Sequence, residues 1–262
     1  MTELEDLFSL RGQVALVTGA SSGLSAQVAR ALAKAGASVG LVARRKDRLE
    51  ELARELAAKG ARACVAPADV TVTEQLRSAL DQVEAELGPV DLIVNGAGVA
   101  PLSRAEKHAR AKWDQALALN VTAAFELAQL AAQRWIERKR GGRIINLSSV
   151  MGFAGNPVHK AVGYSTSKGA LNNLTRHLAI EWAQYGICVN ALAPAYFPTE
   201  MTTDPRIGDV PPDHVEVMRK FTPLDRLGRL EEIETAVLFL ASPKSSYVTG
   251  AIVPVDGGWT AW

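Results

Sequence analysis

Short apolar runs alternate along this chain with longer stretches whose apolar residues recur every three or four positions. The runs at 14–18, 38–43, 62–67, 91–95, 143–148, 187–193 and 251–255 read as strands. Several of them (VALV, VGLV, LIV, RIINL) carry almost no polar position, as strands covered on both faces should. Between them, residues 23–36 place Val28, Ala31, Leu32 and Ala35 on one helical face, and residues 46–59 do the same with Leu49, Leu52, Ala53 and Leu56. Gly36 and Gly60 stand where these helices stop. Further helices are predicted over 73–87, with Thr73 as its cap, over most of 105–139, over 164–185 and over 231–241.

Strand and helix in such regular alternation predict an α/β fold. The expected form is a doubly wound, Rossmann-like parallel sheet in three layers, one domain over residues 1–262. One stretch breaks the pattern. Residues 196–227 hold Pro198, Pro205, Pro211, Pro212 and Pro223 and read as an irregular lid over a substrate.

Charge and composition narrow the classes. Lys plus Arg number 29 against 28 Asp plus Glu, so no net charge recruits nucleic acid or an anionic membrane. No run of 18 apolar residues suggests a membrane span, and the N-terminal residues have no basic-then-apolar signal pattern, so a cytoplasmic location is expected. Cys64 and Cys188 form no C-x-x-C and read as reduced thiols. His108, His159, His177 and His214 lack metal-ligand spacing, and no metal is expected.

The chemistry begins where the first strand runs into Thr18-Gly19-Ala20-Ser21-Ser22-Gly23-Leu24-Ser25. Glycines at such a turn let backbone approach a pyrophosphate, and the helix that opens there offers free N–H groups and a positive dipole end. A nucleotide site is predicted at Gly19, Ser21, Ser22, Gly23 and Leu24. The second strand ends Val42-Ala43-Arg44-Arg45, with no carboxylate where an acid would bind a ribose 2′-hydroxyl. Two guanidiniums suit a 2′-phosphate, and two cations at a helix start oppose its dipole unless an anion joins them. NADP(H) is therefore the expected cofactor, with NAD(H) possible.

With these residues in view, the chain resembles the short-chain dehydrogenase/reductase family over nearly its whole length. The glycine turn is similar to that family's T-G-x-x-x-G-x-G. Asp69-Val70 resembles its adenine-contacting pair, and Asn95-Gly96-Ala97-Gly98 its N-N-A-G. Asn120, Ser149, Tyr164 and Lys168 match its catalytic tetrad, and Thr199 matches its nicotinamide-binding threonine. Pro194 and Phe197 complete the cofactor site that the resemblance implies. Three positions depart from the pattern: Ser25 for the third glycine, Gly96 for the second asparagine, and Ala195 for the glycine after Pro194.

Tyr164 and Lys168 are four apart on a predicted helix and so share a face. A nearby ammonium favours the phenolate, which lets Tyr164 exchange protons nearer neutrality than a free phenol of pKa about 10. The resemblance implies the rest: Lys168 also binds the nicotinamide ribose, Ser149 holds the substrate oxygen, and Asn120 anchors a water chain to Lys168. The expected reaction interconverts a ketone or aldehyde and an alcohol. Met151, Phe153, His159, Tyr196 and Met201 form the expected substrate pocket, whose apolar character favours a neutral, hydrophobic ketone or secondary alcohol. Arg206 is the one candidate partner for a substrate carboxylate, and a solvated loop charge is its plainer reading.

Other readings stay open: an NAD(H)-linked polyol or sugar-acid enzyme, a 3-oxoacyl reductase, an epimerase or dehydratase with the same Tyr/Lys pair, or a nucleotide-binding regulator without turnover. The resemblance also implies a homotetramer, with the aromatic tail Trp259 to Trp262 buried at a subunit contact.

Overall fold

The structure, a computed structural model, describes residues 6–155, 159–203 and 210–261. Seven strands form one parallel sheet: β1 (Val14–Thr18), β2 (Ser38–Ala43), β3 (Ala63–Pro67), β4 (Leu92–Asn95), β5 (Gly142–Leu147), β6 (Ile187–Pro194) and β7 (Ile252–Val255). Their order is β3-β2-β1-β4-β5-β6-β7. The order reverses between β1 and β4, which register Ala15 beside Leu92 and Val17 beside Val94. A crevice opens at such a switch point beyond the strand ends, and both glycine-bearing turns of the sequence flank it.

Helices cover both faces. Beneath one lie α1 (Gly23–Lys34), α2 (Lys46–Ala58) and α8 (Glu234–Ala241), which bury Val28, Leu32, Leu49, Leu56, Val237 and Leu240 against the sheet. Beneath the other lie α3 (Thr73–Leu87), α5 (Ala123–Glu137) and α6 (Val162–Trp182), with Leu76, Leu80, Val83, Leu127, Trp135 and Leu178 inward. All five residues of β1 are buried, as a central strand between two helical layers requires. The edge strand β3 instead alternates between covered and uncovered positions.

Several local expectations change. The predicted 105–139 helix is interrupted: a 3₁₀ turn (Ala105–Lys107), α4 (Arg110–Leu117) and a π turn (Ala118–Thr122) precede α5. Thr73 does not cap α3. Val72 takes the cap position, and the Thr73 hydroxyl instead donates to Glu126 at 2.9 Å. The 196–227 stretch is not wholly irregular, because α7 (Pro212–Lys220) lies within it. Proline at the first helical position lacks only an N–H that has no helical partner anyway, so the prolines that argued against helix here begin one. Met218 of α7 packs with Val150, Met151, Tyr196, Val210 and Trp259 in a third, smaller apolar cluster. Pro205, Arg206 and Trp262 lie outside the described residues. Among the described residues, no helix is long and apolar enough to cross a membrane, no acid/histidine/cysteine group suits a metal, and Cys64 and Cys188 are free thiols.

Candidate active site

The glycine turn is built against the turn after β4. Thr18 at the end of β1 accepts the N–H groups of Gly96 and Ala97 on its hydroxyl, at 3.0 and 3.2 Å. Gly19 has φ +71°, and a Cβ there would lie 2.8 Å from the Ala97 backbone, so no other residue fits. α1 then starts at Gly23 with no side-chain cap from Ser22, which leaves its first-turn N–H groups facing the crevice. These features fit a dinucleotide pyrophosphate: a bare backbone turn, open amides and a dipole end.

Two departures from the family pattern fit one another. The Ser25 hydroxyl donates to the Gly96 carbonyl at 3.1 Å. A Cβ on Gly96 would sit 2.3 Å from the Ser25 oxygen. The hydroxyl thus occupies space that a side chain at position 96 would need, and the expected awkwardness of Ser25 beside the strand is relieved by the bare neighbour.

At the other end of the crevice, α6 carries Tyr164 and Lys168. Lys168 is 5% exposed, donates to the Leu147 carbonyl at 2.6 Å, and holds its ammonium 5.6 Å from the Tyr164 ring centroid. Burial pulls its pKa down from 10.5 to about 8. The half-buried Tyr164 phenol is raised by burial, against an opposing hydrogen bond with Ser149. Burial thus works against the lowering that the Tyr164–Lys168 spacing predicts for this phenol. The ammonium lies over the ring and is tied to the Leu147 carbonyl, and burial outweighs the lowering by Ser149. Ser149 accepts the Met151 N–H at 3.2 Å and lies 3.4 Å from the Pro194 carbonyl, which fixes its hydroxyl at the end of β5.

Asn120 sits in the π turn, a local widening that helices often show at functional sites. Its side chain accepts from Val99 N–H at 2.9 Å and donates to Val99 carbonyl at 3.0 Å and Ser167 hydroxyl at 2.9 Å. A Cβ on Gly98 would lie 3.2 Å from the Asn120 oxygen and 3.8 Å from the Lys168 ammonium nitrogen. The glycine therefore keeps the approach to both groups clear.

Other predicted residues take different stations. Asn95 turns inward: it donates to Asn146 at 2.9 Å, which donates to Thr175 at 2.9 Å, a buried strut joining β4, β5 and α6. It braces the crevice wall, where it also lines a small cavity with Thr18, Val70 and Ala97. Asp69 is held below the usual carboxylate range by the Thr71 hydroxyl and N–H, and Val70 is buried. Thr199 packs against the glycine turn, 3.4 Å from a Cβ placed on Gly23. Phe197 is buried beside Gly228, where a Cβ would approach its ring to 2.5 Å. Of the expected substrate residues, Met151 and Tyr196 are buried in the third cluster, while Phe153 and Met201 are 42% and 56% exposed. His159 meets Tyr196 edge-on at 5.7 Å, and burial, then the charge of His214, lowers its pKa.

Two residues escaped the sequence reading, and a third, Trp259, takes another station than the subunit contact expected of the tail, buried within its own chain. Glu200 pairs with Arg45 at 2.9 Å, so Arg45 already has an anionic partner within the chain. Thr202 pins the turn after β6 by accepting Thr199 N–H at 2.9 Å and donating to the Phe197 carbonyl at 2.8 Å. Trp259, 8% exposed, buries an indole N–H that has no partner among the described residues. The first contact spans 155 positions, a separation that no local pattern reports. The Thr199-x-x-Thr202 spacing was the one available signal. A cavity of about 170 Å³ behind Tyr196 and Phe197, lined also by Thr222, Leu224, Arg226 and Asp256, is separate from the Tyr164–Lys168 group.

Comparison with known proteins follows this geometry. A family profile described as enoyl-(acyl carrier protein) reductase matches residues 19–260. Galactitol 2-dehydrogenase (L-tagatose-forming) of Cereibacter sphaeroides is 44% identical over 256 residues, covering 98% of each chain. A short-chain type dehydrogenase/reductase from Mycobacterium marinum has a TM-score of 0.92 at 38% identity, covering 98% of this chain and 99% of its own. A gluconate 5-dehydrogenase from Burkholderia cenocepacia, solved in complex with NADP and tartrate, has a TM-score of 0.91 at 35% identity, covering 99% and 100%. On these matches over nearly its whole length, the chain is an oxidoreductase belonging to the short-chain dehydrogenase/reductase family.

Proposed function

We propose that this enzyme interconverts a secondary alcohol and a ketone on a polyhydroxylated substrate, a polyol or sugar acid, with NADP(H) preferred to NAD(H). The observation that carries the chemistry is the buried Lys168 ammonium, tied to the Leu147 carbonyl at 2.6 Å and standing 5.6 Å from the centre of the Tyr164 ring. When bound, the dinucleotide supplies or takes up the hydride, and its oxidised ring adds a positive charge. Ser149 orients the substrate oxygen toward Tyr164. In reduction the phenol, which burial keeps protonated, gives its proton to the developing alkoxide. In oxidation Tyr164 accepts that proton, and Lys168 steadies the phenolate that precedes it. Asn120, held by Val99 and Ser167, orients the route by which the proton is replaced.

The cofactor reading rests on Arg44 and Arg45 beside the glycine turn and on NADP in the Burkholderia relative. The substrate reading replaces the hydrophobic ketone suggested by the apolar pocket residues. The relatives' names carry galactitol and gluconate, and the buried Trp259 N–H supplies a donor within an otherwise apolar cluster. Residues 196–227 serve as the lid, with the cavity at their base leaving room to shift. Ile180 and Tyr185, exposed on and just after α6, favour packing against a second copy and a homotetramer. The free thiols accord with a cytoplasmic setting.

Absorbance at the NADPH band, read against polyols, sugar acids and aryl ketones, tests this. Turnover is expected with NADP⁺ and the polyols or sugar acids, or with NADPH and their keto forms, and about a thousandfold less in Tyr164→Phe. Activity confined to aryl ketones would reject the substrate class, and full activity in the variant would reject the mechanism.

A further inference from the structure

Arg45 is the most heavily engaged cation at the ribose end of the crevice. Its Nη2 and Nη1 donate to the two Glu200 carboxylate oxygens at 2.9 and 3.2 Å. Nη2 also reaches Ser22 at 2.7 Å, and Nη2 and Nε reach Ser21 at 3.0 and 3.2 Å. The guanidinium thus faces the glycine turn with every nitrogen engaged. Glu200 comes from the segment after β6, directly after Thr199, and Thr199 packs on Gly23. One two-toothed carboxylate therefore joins the arm after β2 to the start of the lid.

We propose that Glu200 is an internal competitor for the 2′-phosphate of the dinucleotide, so that binding of that phosphate at Arg45 releases the start of the lid. This rests on the NADP(H) reading above. A guanidinium edge accepts a carboxylate or a phosphate in the same paired geometry, but not both at once. A phosphate arriving at Ser21, Ser22 and Arg45 would also meet the Glu200 charge at close range, and like charges there repel. A ribose with a plain 2′-hydroxyl makes no such demand and leaves the clasp shut. Both partners are exposed, at 44% and 55% of their side chains, so water screens the pair and a doubly charged phosphate can displace it. Arg44 is exposed and lends its charge to Asp69 without a close ion pair among the described residues, so it can add to the hold on the same phosphate.

Glu200 thereby sets how strongly the chain prefers one dinucleotide, and it couples that choice to the other end of the crevice. Once the carboxylate leaves, the turn at 199–203 loses its tie to the arm after β2 and is held by the Thr202 and Thr203 N–H groups on the Thr199 carbonyl at 2.9 and 2.8 Å and by the Thr202 hydroxyl on Phe197.

The test is calorimetric binding of adenosine 2′,5′-bisphosphate, NADPH and NADH to wild type, Glu200→Gln and Glu200→Gln/Arg45→Ala at one salt concentration. Glu200→Gln should bind the bisphosphate and NADPH about three- to tenfold more tightly, with NADH within about twofold of wild type. The double variant should lose that gain. Unchanged or weaker NADPH binding in Glu200→Gln overturns the competition. Hydrogen exchange gives the second readout: adding the bisphosphate to wild type should speed exchange at Thr202 and Thr203, and slower or unchanged exchange overturns the release. If wild type shows no preference for NADPH but Glu200→Gln acquires one, the competition stands while the NADP(H) reading falls.

Discussion

Charge is handled in opposite ways at the two ends of the crevice. At the catalytic end Lys168 is 5% exposed, tied to one carbonyl, and shifted by burial to a pKa of about 8. At the ribose end Arg44 and Arg45 are exposed, and Arg45 shares its fork with an exposed glutamate. A buried charge is confined by packing, so a small displacement or a lost proton is felt strongly. An exposed one is screened and exchangeable, which suits a site that must choose between two anions. Reactivity is thus concentrated where water is excluded, and selectivity where it is not.

The sharpest way to break that contrast is at Tyr164. Tyr164→Phe keeps the ring and removes the proton, so kcat should fall by about a thousandfold while dinucleotide affinity stays within about twofold, read by single-turnover kinetics and fluorescence titration. A comparable loss of affinity would make the residue a binding group instead.

Lys168 tests the buried end by pH. Its native pKa lies near 8 and its unfolded value near 10.5, so as pH rises the native chain releases this proton first. Between those values the unfolded chain holds the extra proton, and stability must rise with pH. In urea unfolding, wild type should gain up to about 3 kcal/mol relative to Lys168→Met between pH 7.5 and 10.5. A flat difference would mean the ammonium is not desolvated as its burial implies.

The Ser25–Gly96 fit gives a smaller, packing-scale effect. Gly96→Asn should lower stability by about 1–3 kcal/mol, because its Cβ would press on the Ser25 hydroxyl. Adding Ser25→Gly should recover part of it, the approach to the Thr18 carbonyl at 2.8 Å remaining, and simple additivity of the two losses would show that the positions are not coupled.

The least effect is expected at the screened end. Arg44→Asp should shift preference toward NADH by roughly tenfold at low salt, and by less as salt is raised. A shift that ignored salt would place Arg44 in a drier setting than its exposure indicates.

Much of this was legible before any coordinates. The strand runs are apolar throughout because β1, β2 and β4 are covered on both sides, and the glycine turn announces itself because only bare backbone clears Ala97. Tyr164 and Lys168 were readable as a pair because helical spacing is local. What escaped is what spans distance. Glu200 reaches Arg45 across 155 positions, Ser25 meets Gly96 across 71, and Asn95 turns inward to a partner 51 residues on. Composition offers no guide to such meetings. The prolines of 196–227 misled in a different way: they forbid a helix interior but not a helix start, and α7 uses that exception.

The widened turn at Ala118–Thr122 sets the phase of everything after it. An α-helix advances about 100° per residue, so one residue more or less within that turn rotates the faces before and after it by that angle. Removing a residue there would let α4 run straight into α5 with an unbroken ladder, but the amide now gripping both backbone groups of Val99 would swing out of reach. The irregularity acts as a key cut into the helix, and smoothing it would leave a sounder rod beside a site that had lost one of its four parts.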